Sequence, residues 1–540
     1  MFIKITKSGN HKYCQMVSSH REGGKIKHTV LFNLGRLDSI EGNPSFQNLA
    51  FRLLEISKAK SVTNLDDISE AEISNWGYIV YKRIWEQFGL DSTLAKITKK
   101  GKTQFDLSKS SFLMVANHLL APKSKLAIYV SQDKYTNLPQ VGLNELYRSL
   151  DILSKHKEHL EEEMYLVNRN LFNMEVDVVF YDVTTFSFSS VRADTLKDFG
   201  FSKDSKPGKV QVVLGLLIDC HGRPIGYELF PGNTFDGKTL ETALEAMESR
   251  FGIRKVILVA DKGINSKLNL KMISDRGYKY IFASRIKSAS KKIKDLIFAG
   301  DYTKTQSTYD TVRYKVINWI NEFKADGKKY ELAEKLIITY SEKRAKKDRA
   351  DRERLIEKAN ALLKNKANIR QFNKRVGKKY IKDISKDSDW IFDTEAVLAD
   401  QRFDGYYGIQ TNDMELDPEK VMDAYHSLWK IEQSFRIMKS TLEVKPIFHW
   451  TEPRIKGHFV ICFLAFLLER NLEFRLKKSG EEASPEKIRE AINSLNFAKV
   501  SLNGRKYFIK TKSSDLAKKI LLILKIKPPK NITPVDEFRL

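Results

Sequence analysis

With 540 residues, 42% of them hydrophobic, the chain has room for three or four domains and is too apolar for global disorder. Lysine and arginine number 93 against 68 aspartates and glutamates, a formal charge of +25. A protein this basic usually meets a polyanion, most often nucleic acid, unless the charge is only a general basic background. Cys14, Cys220 and Cys462 lie far apart without a CxxC spacing, which argues for a reducing compartment and against a zinc site.

The opening stretch MFIKITKSGNHKYCQM lacks the apolar core of a signal peptide. The longest apolar run, FVICFLAFLLE from Phe459, is too short to span a bilayer and reads as a buried helix. The expectation is a soluble, cytoplasmic protein without membrane contact. Residues 1 to about 36 alternate in strand fashion (FIKITK, KYCQMVSS, KIKHTVLFNLG), with SGN and EGG as turns. These strands predict a small N-terminal β region over residues 1–45. Across 75–172 the period becomes helical, in GYIVYKRIWEQFGL, SSFLMVANHLL and LNELYRSLDILSKHKEHLEEEMYLVNRNLF. A basic helical stretch ahead of a catalytic core suits DNA binding. A purely structural bundle fits as well, because no helix-turn-helix signature stands out.

Strands dominate from residue 173. After VVFYDVTTFSF (178–188), KVQVVLGLLID and PIGYELFPGN flank the turn Cys220-His221-Gly222-Arg223 and complete a meander. GKTLETALEAMESRFG reads as a helix ending at Gly252, and KVILVAD as a short apolar strand. NSKLNLKMISDRG is a helix capped by Asn265 or Ser266 and closed by Gly277, and YKYIFASR is a further strand. The order β-β-β-α-β-α-β is that of an α/β, ribonuclease-H-like catalytic core with a mixed sheet, residues 173–285 forming its first part.

Within this core, Asp182 shares a strand face with Val176, Val178 and Phe180. A carboxylate there is costly to bury without a partner, although a strand-end bond to Thr184 or Thr185 would satisfy it. Asp261 ends KVILVAD, where open α/β sheets place ligands; a turn aspartate before Lys262-Gly263 is the plainer reading. In this fold the two are neighbours, and they repel unless a cation lies between them. A third acid comes from DPEKVMDAYHSLWKIEQSFRIMKS, read as one helix with Asp417 as N-cap and Pro418 in its first turn. On a helical wheel Val421, Tyr425, Leu428 and Phe435 form an apolar arc that also contains Glu432 and Lys439. Lys430, Gln433 and Asp423 fall opposite. The wheel points Glu432 and Lys439 inward, where a buried ion pair between them is the alternative to a functional role.

YDVTT around Asp182, VADKGINS around Asp261 and Tyr425-x6-Glu432-x6-Lys439 resemble the three blocks of the DDE transposases of bacterial insertion sequences. More narrowly they resemble the IS-four-like branch with the Y-x2-R-x3-E-x6-K signature. The likeness spans roughly 176–470, and the tract KPIFHWTEPRIKGHFVICFLAF is similar as well. Leu428 stands at the signature's Arg position, with Arg436, one turn after Glu432, as a substitute.

The resemblance implies metal-dependent DNA cleavage at transposon ends and strand transfer into target DNA. Asp182, Asp261 and Glu432 would be the catalytic acids, holding two Mg²⁺ per site with Mn²⁺ as a substitute. Asp182 would bridge both ions, Asp261 hold one and Glu432 the other. Tyr425 and Lys439 would contact the phosphate beside the transposon end. The implied partners are double-stranded DNA, as terminal inverted repeats and as target, and a second copy in a homodimeric, nucleoid-associated complex.

Asp261 and Glu432 lie 171 residues apart (432 − 261), which leaves an insertion region over 286–400 before the second part of the core, 401–476. The family associates such an insertion with handling the transposon end. It contains strand-like TVRYKVINWINEF and the charged helix YSEKRAKKDRADRERLIEKANALLKNK, which also fits a solvated face. Trp319 either stacks on an unpaired base or fills a core. Residues 477–540 read as helix, strand and a short basic helix, a region suited to pairing protomers. Two alternatives remain: a nuclease of this fold without strand transfer, and a domesticated DNA-binding protein with dead chemistry, against which the presence of all three acids weighs.

Overall fold

The computed structural model describes the chain apart from residues 58–70, 100–102, 172–173, 175, 190–191, 202–207, 307–310, 326–327, 365–368, 370–377, 385–389, 503–504 and 540. It divides into two compact units. The first comprises Met1–Glu72, Lys499–Ile509 and Ile532–Phe538. Its strands β1 (Phe2–Ser8), β2 (His11–Glu22) and β3 (Lys25–Arg36) form an antiparallel meander in the stretch read as a small β region. Gly9 and the Gly23-Gly24 pair take positive φ at the two turns, a conformation that glycine adopts without steric cost. A helix absent from the sequence reading, Pro44–Ile56, comes next, with the Asn43 side chain accepting from the Ser45 N–H.

The second unit, built on Ile73–Ala498, carries the candidate site. The helical stretch forms as expected, and its members Ile79–Gln87, Leu107–Leu120 and Leu143–Lys155 pack against the long helix Glu452–Lys478. Leu107–Leu120 is buried almost all round, as expected of a helix inside a core. Where Leu143–Lys155 approaches the long helix, a Cβ on Gly457 would lie 2.1 Å from the Leu150 carbonyl oxygen, so only glycine fits. The apolar run from Phe459 is a buried segment of Glu452–Lys478. No described helix is long and apolar enough to cross a membrane.

The central sheet has nine strands: β4 (Val178–Ser187), β5 (Gln211–Asp219), β6 (Pro224–Pro231), β7 (Ile257–Ala260), β8 (Lys279–Ala283), β9 (Thr303–Gln306), β10 (Thr311–Ala325), β11 (Lys328–Tyr340) and β12 (Tyr406–Thr411). Their order is β9-β10-β11-β12-β8-β7-β4-β5-β6. The β4-β5-β6 meander is antiparallel, while β7 runs parallel to β4 and β8 parallel to β7. The β5–β6 turn is fastened by a fully buried ion pair, Arg223 Nε to Asp219 Oδ2 at 2.8 Å. Helices Leu240–Ser249 and Lys267–Asp275 cover one face, enclosing Val179, Tyr181, Val183, Leu258 and Ala260. Ser266 caps the second helix and Gly277 closes it at positive φ. The long helix reaches the other face, with Phe459 edge-on to Phe186 at 5.4 Å.

The insertion strands β9, β10 and β11 do not stand apart from the core. β11 pairs with β12, and β12 pairs antiparallel with β8, so one sheet runs through both. Buried Glu334 on β11 clasps the junction, accepting from Tyr280 on β8 and from Gln410 Nε2 on β12. The charged helix Glu342–Lys364 is mostly exposed, anchored through Arg352 to Asp404 and through buried Ala359.

Candidate active site

The parallel pairing of β4 and β7 ends at Phe180 opposite Val259. Asp182 and Asp261 each stand two residues further on, Asp182 still on β4 and Asp261 just past the end of β7. Both are half-buried. Asp182 Oδ1 accepts from the N–H of Val183 at 2.7 Å. Asp261 Oδ1 accepts from the Tyr425 hydroxyl at 3.4 Å. Tyr425 in turn shares a 2.5 Å hydrogen bond with Tyr407 on β12. The guanidinium of Arg344, from the charged helix, lies 4.2 Å from the centre of the Tyr407 ring. Burial pushes both phenols up, so each remains a neutral donor at physiological pH.

The glutamate segment differs from its sequence reading. Asp417 does cap it and Pro418 does open it, but the helix ends at His426 and restarts as Trp429–Arg436, followed by a wide turn over Ile437–Thr441. A wheel of 100° per residue loses phase across these two irregularities. Val421, Leu428 and Phe435 are buried as expected, yet Glu432 is exposed and Lys439 only half-buried. Glu432 therefore faces solvent rather than the interior. The helix carrying it packs against β4, the strand of Asp182. Lys430, expected on the polar face, is half-buried and donates to the Cys220 carbonyl at 2.6 Å.

Among the described residues no ion pair joins Glu432 to Lys439. The Lys439 ammonium turns toward β4 and lies 5.7 Å from the centre of the Phe186 ring, which Lys445 approaches to 5.8 Å. Arg436 is exposed at the end of the glutamate helix, and Leu428, at the signature's Arg position, is buried. Trp319 is not brought to this site. It stands on β10, four strands from β7 in the sheet, roughly 19 Å at 4.8 Å per strand, and packs on the cluster of Ile286, Ile293, Ile317 and Phe403. That insertion side chain is half-buried and extends a core. Tyr407 and Arg344 escaped the sequence reading, because nothing local distinguishes them from other aromatic and basic residues.

The three acids do not bring an oxygen each within 4.8 Å of one another. Among the described residues the cluster that does is His118, His458 and Cys462, a grouping hidden from cysteine spacing because its members come from two helices. Lys125 Nζ lies 3.3 Å from His118 Nε2 and 3.4 Å from His458 Nδ1, so the chain's own cation already fills that space.

Residues 175–468, more than half of the chain, match the transposase DDE domain, and the chain belongs to that family. Residues 3–64 match the N-terminal domain of the IS1634 family of transposases. Together the two matches make it a DDE transposase of an insertion sequence, as the sequence motifs imply; neither speaks to the narrower Tyr-Arg-Glu-Lys branch. No curated protein matches the chain. Among solved structures, a cryo-EM structure of the piggyBac transposase synaptic complex with hairpin DNA shares 9% identity. It covers 79% of this chain and 83% of its own, with a TM-score of 0.37, a likeness too slight to carry any argument about function.

Proposed function

We propose that this transposase cuts DNA at the terminal repeats of its insertion sequence and joins the freed 3′-hydroxyl to target DNA, using Asp182, Asp261 and Glu432 on a ribonuclease-H-like core. What supports the reading is the parallel register of β4 with β7, which pairs Phe180 with Val259, two residues before Asp182 and Asp261 respectively. The helix of Glu432, packed on the strand of Asp182, adds a third acid from the solvent side. An all-carboxylate donor set with one solvent-facing member fits hard divalent cations such as Mg²⁺ or Mn²⁺. Two such ions, when bound, stabilise the entering and leaving oxygens of an in-line displacement at phosphorus.

The chain's own groups supply positioning. Tyr425 holds the Asp261 carboxylate by its hydroxyl, and Lys439, steadied against Phe186, offers a point charge to a phosphate beside the cleavage site. The exposed bases Lys343, Arg344, Lys346, Lys347 and Arg349 lead away from the site along the charged helix, a track for duplex DNA. Ile79–Gln87, Leu107–Leu120 and Leu143–Lys155 pack on Glu452–Lys478, and the helical region 75–172 shares the duplex contacts with that track. The working species is a homodimer spanning two ends.

The test uses duplexes carrying the element's terminal repeats. Mg²⁺ should support cleavage and joining, and Ca²⁺ binding alone. Asp182→Asn, Asp261→Asn and Glu432→Gln should each abolish cleavage while leaving binding intact. Near-wild-type cleavage by any one removes that residue from the set, and cleavage without joining would make the chain a nuclease.

A further inference from the structure

Away from the acids, a cavity of about 280 Å³ opens between the stretch Pro122–Lys125 and the loop Glu443–His449. At its back is Lys125, only 3% exposed. His118 Nδ1 lies 3.0 Å from the Leu442 carbonyl and His458 Nε2 lies 3.0 Å from the Val444 carbonyl. A carbonyl only accepts, so both nitrogens carry hydrogen and the opposite ring nitrogens are lone pairs aimed at the Lys125 ammonium. Burial keeps His118 neutral by lowering it to about 3. Lys125 thus donates to two neutral imidazoles and keeps a third N–H, and among the described residues no carboxylate pairs with it. A buried ammonium without a counter-charge is costly.

The cavity wall adds more positive charge. Lys123 and Lys445 line it, and the carboxylate that also reaches it, Glu443, is exposed to solvent. Lys445 donates to Ser187 Oγ at 3.0 Å, and Ser187 lies five residues beyond Asp182 on β4, roughly 17 Å along the strand. That distance is about five base steps of duplex rise. Phe448 and Trp450, 60% and 73% exposed, flank the loop and offer faces on which bases stack. Lys445, Phe448 and Trp450 belong to the tract KPIFHWTEPRIKGHFVICFLAF, to which the triad gives no role.

We propose that this cavity binds a phosphate group of the transposon DNA, with Lys125 as its buried counter-charge and Lys123 and Lys445 at its mouth. The identity of the DNA rests on the transposase reading; the affinity for phosphate does not.

The experiment compares thermal unfolding of the full chain in inorganic phosphate and in chloride at matched ionic strength, then measures DNA affinity against salt. Phosphate should raise the wild-type midpoint above that in chloride. Lys125→Met should lose this rise while unfolding no earlier than wild type in chloride. The slope of log K against log salt should become shallower by about one in Lys125→Met. Should that variant fail to fold, Lys123→Gln, at the rim, reads the same two quantities. A phosphate rise with an unchanged DNA slope would overturn DNA as the source and leave free phosphate. No phosphate rise, or a rise with Zn²⁺ that Cys462→Ser removes, would overturn the site. A wild type that responds to phosphate yet binds no terminal repeat would sink the proposed action at terminal repeats and spare the phosphate site.

Discussion

Tyr425 and Asp261 are joined by a hydrogen bond of 3.4 Å that crosses from the helix Pro418–His426 to the end of β7. With Tyr407 bonded to Tyr425 and Arg344 stacked on Tyr407, the relation ties the insertion's charged helix to one of the proposed catalytic acids.

Tyr425→Phe should therefore act on the acid rather than on DNA. The loss of its hydrogen bonds should cost about 1 kcal/mol of stability. Cleavage should fall about tenfold, equivalent to ~1.4 kcal/mol of barrier, and the Mg²⁺ concentration for half activity should rise. Tyr407→Phe should move the same quantities less. Equal losses of DNA affinity and cleavage would make Tyr425 a DNA contact instead.

On the proposed reading, Asp182 and Asp261 share a cation, and two carboxylates that close repel when it is removed. Asp261→Asn should thus unfold no earlier than wild type in chelator. Mg²⁺ should raise the wild-type midpoint through binding to the folded state only, and the variant should lose most of that rise. Melting curves with EDTA and with Mg²⁺ decide it; an equal rise in both proteins would place the ion elsewhere.

Lys439→Ala should cost about 1 kcal/mol, the usual scale of a single substitution at a half-buried position. Cleavage at terminal repeats should weaken, and Lys439→Arg should keep part of it. An unfolded Lys439→Ala protein would mean that the lysine is structural.

A pH effect should arise far from the site. Glu469, buried in Glu452–Lys478 and bonded by the Tyr81 hydroxyl at 2.5 Å, is pushed up from 4.5 to about 8, burial being the main cause and Glu473 adding to it. The folded chain thus keeps a proton that the unfolded chain releases, and stability falls as pH rises from about 4.5 to about 8. Glu469→Gln, which fixes the neutral form, should flatten that decline and gain most near pH 8. Urea unfolding at pH 5.5 and pH 8 checks this; an unchanged pH slope would show that Glu469 does not set it.

Much of the fold was legible along the chain. The alternation of β1 to β3, the caps at Ser266 and Asp417, the buried run from Phe459 and the order of strands and helices around Asp182 and Asp261 are local patterns. Turn chemistry, capping and hydrophobic period act between residues a few positions apart, so the chain alone determines them. The pairing of β4 with β7, the strands that lead to the two aspartates, came from element order, since a strand order of this kind leaves few ways to pair.

Tertiary structure decided the rest. Glu432 turned outward because a break at Ser427-Leu428 and a wide turn after Arg436 re-phased a helix that a wheel treats as uniform. The insertion joined the catalytic sheet through β11 and β12, whose paired residues Ile337 and Ile409 are 72 positions apart (409 − 337). Trp319 was claimed by a core that its strand helps to build, and Tyr407, Arg344 and Lys125 acquired roles only from what they face. Burial and charge pairing are set by contacts between distant segments, and no periodicity along the chain records them.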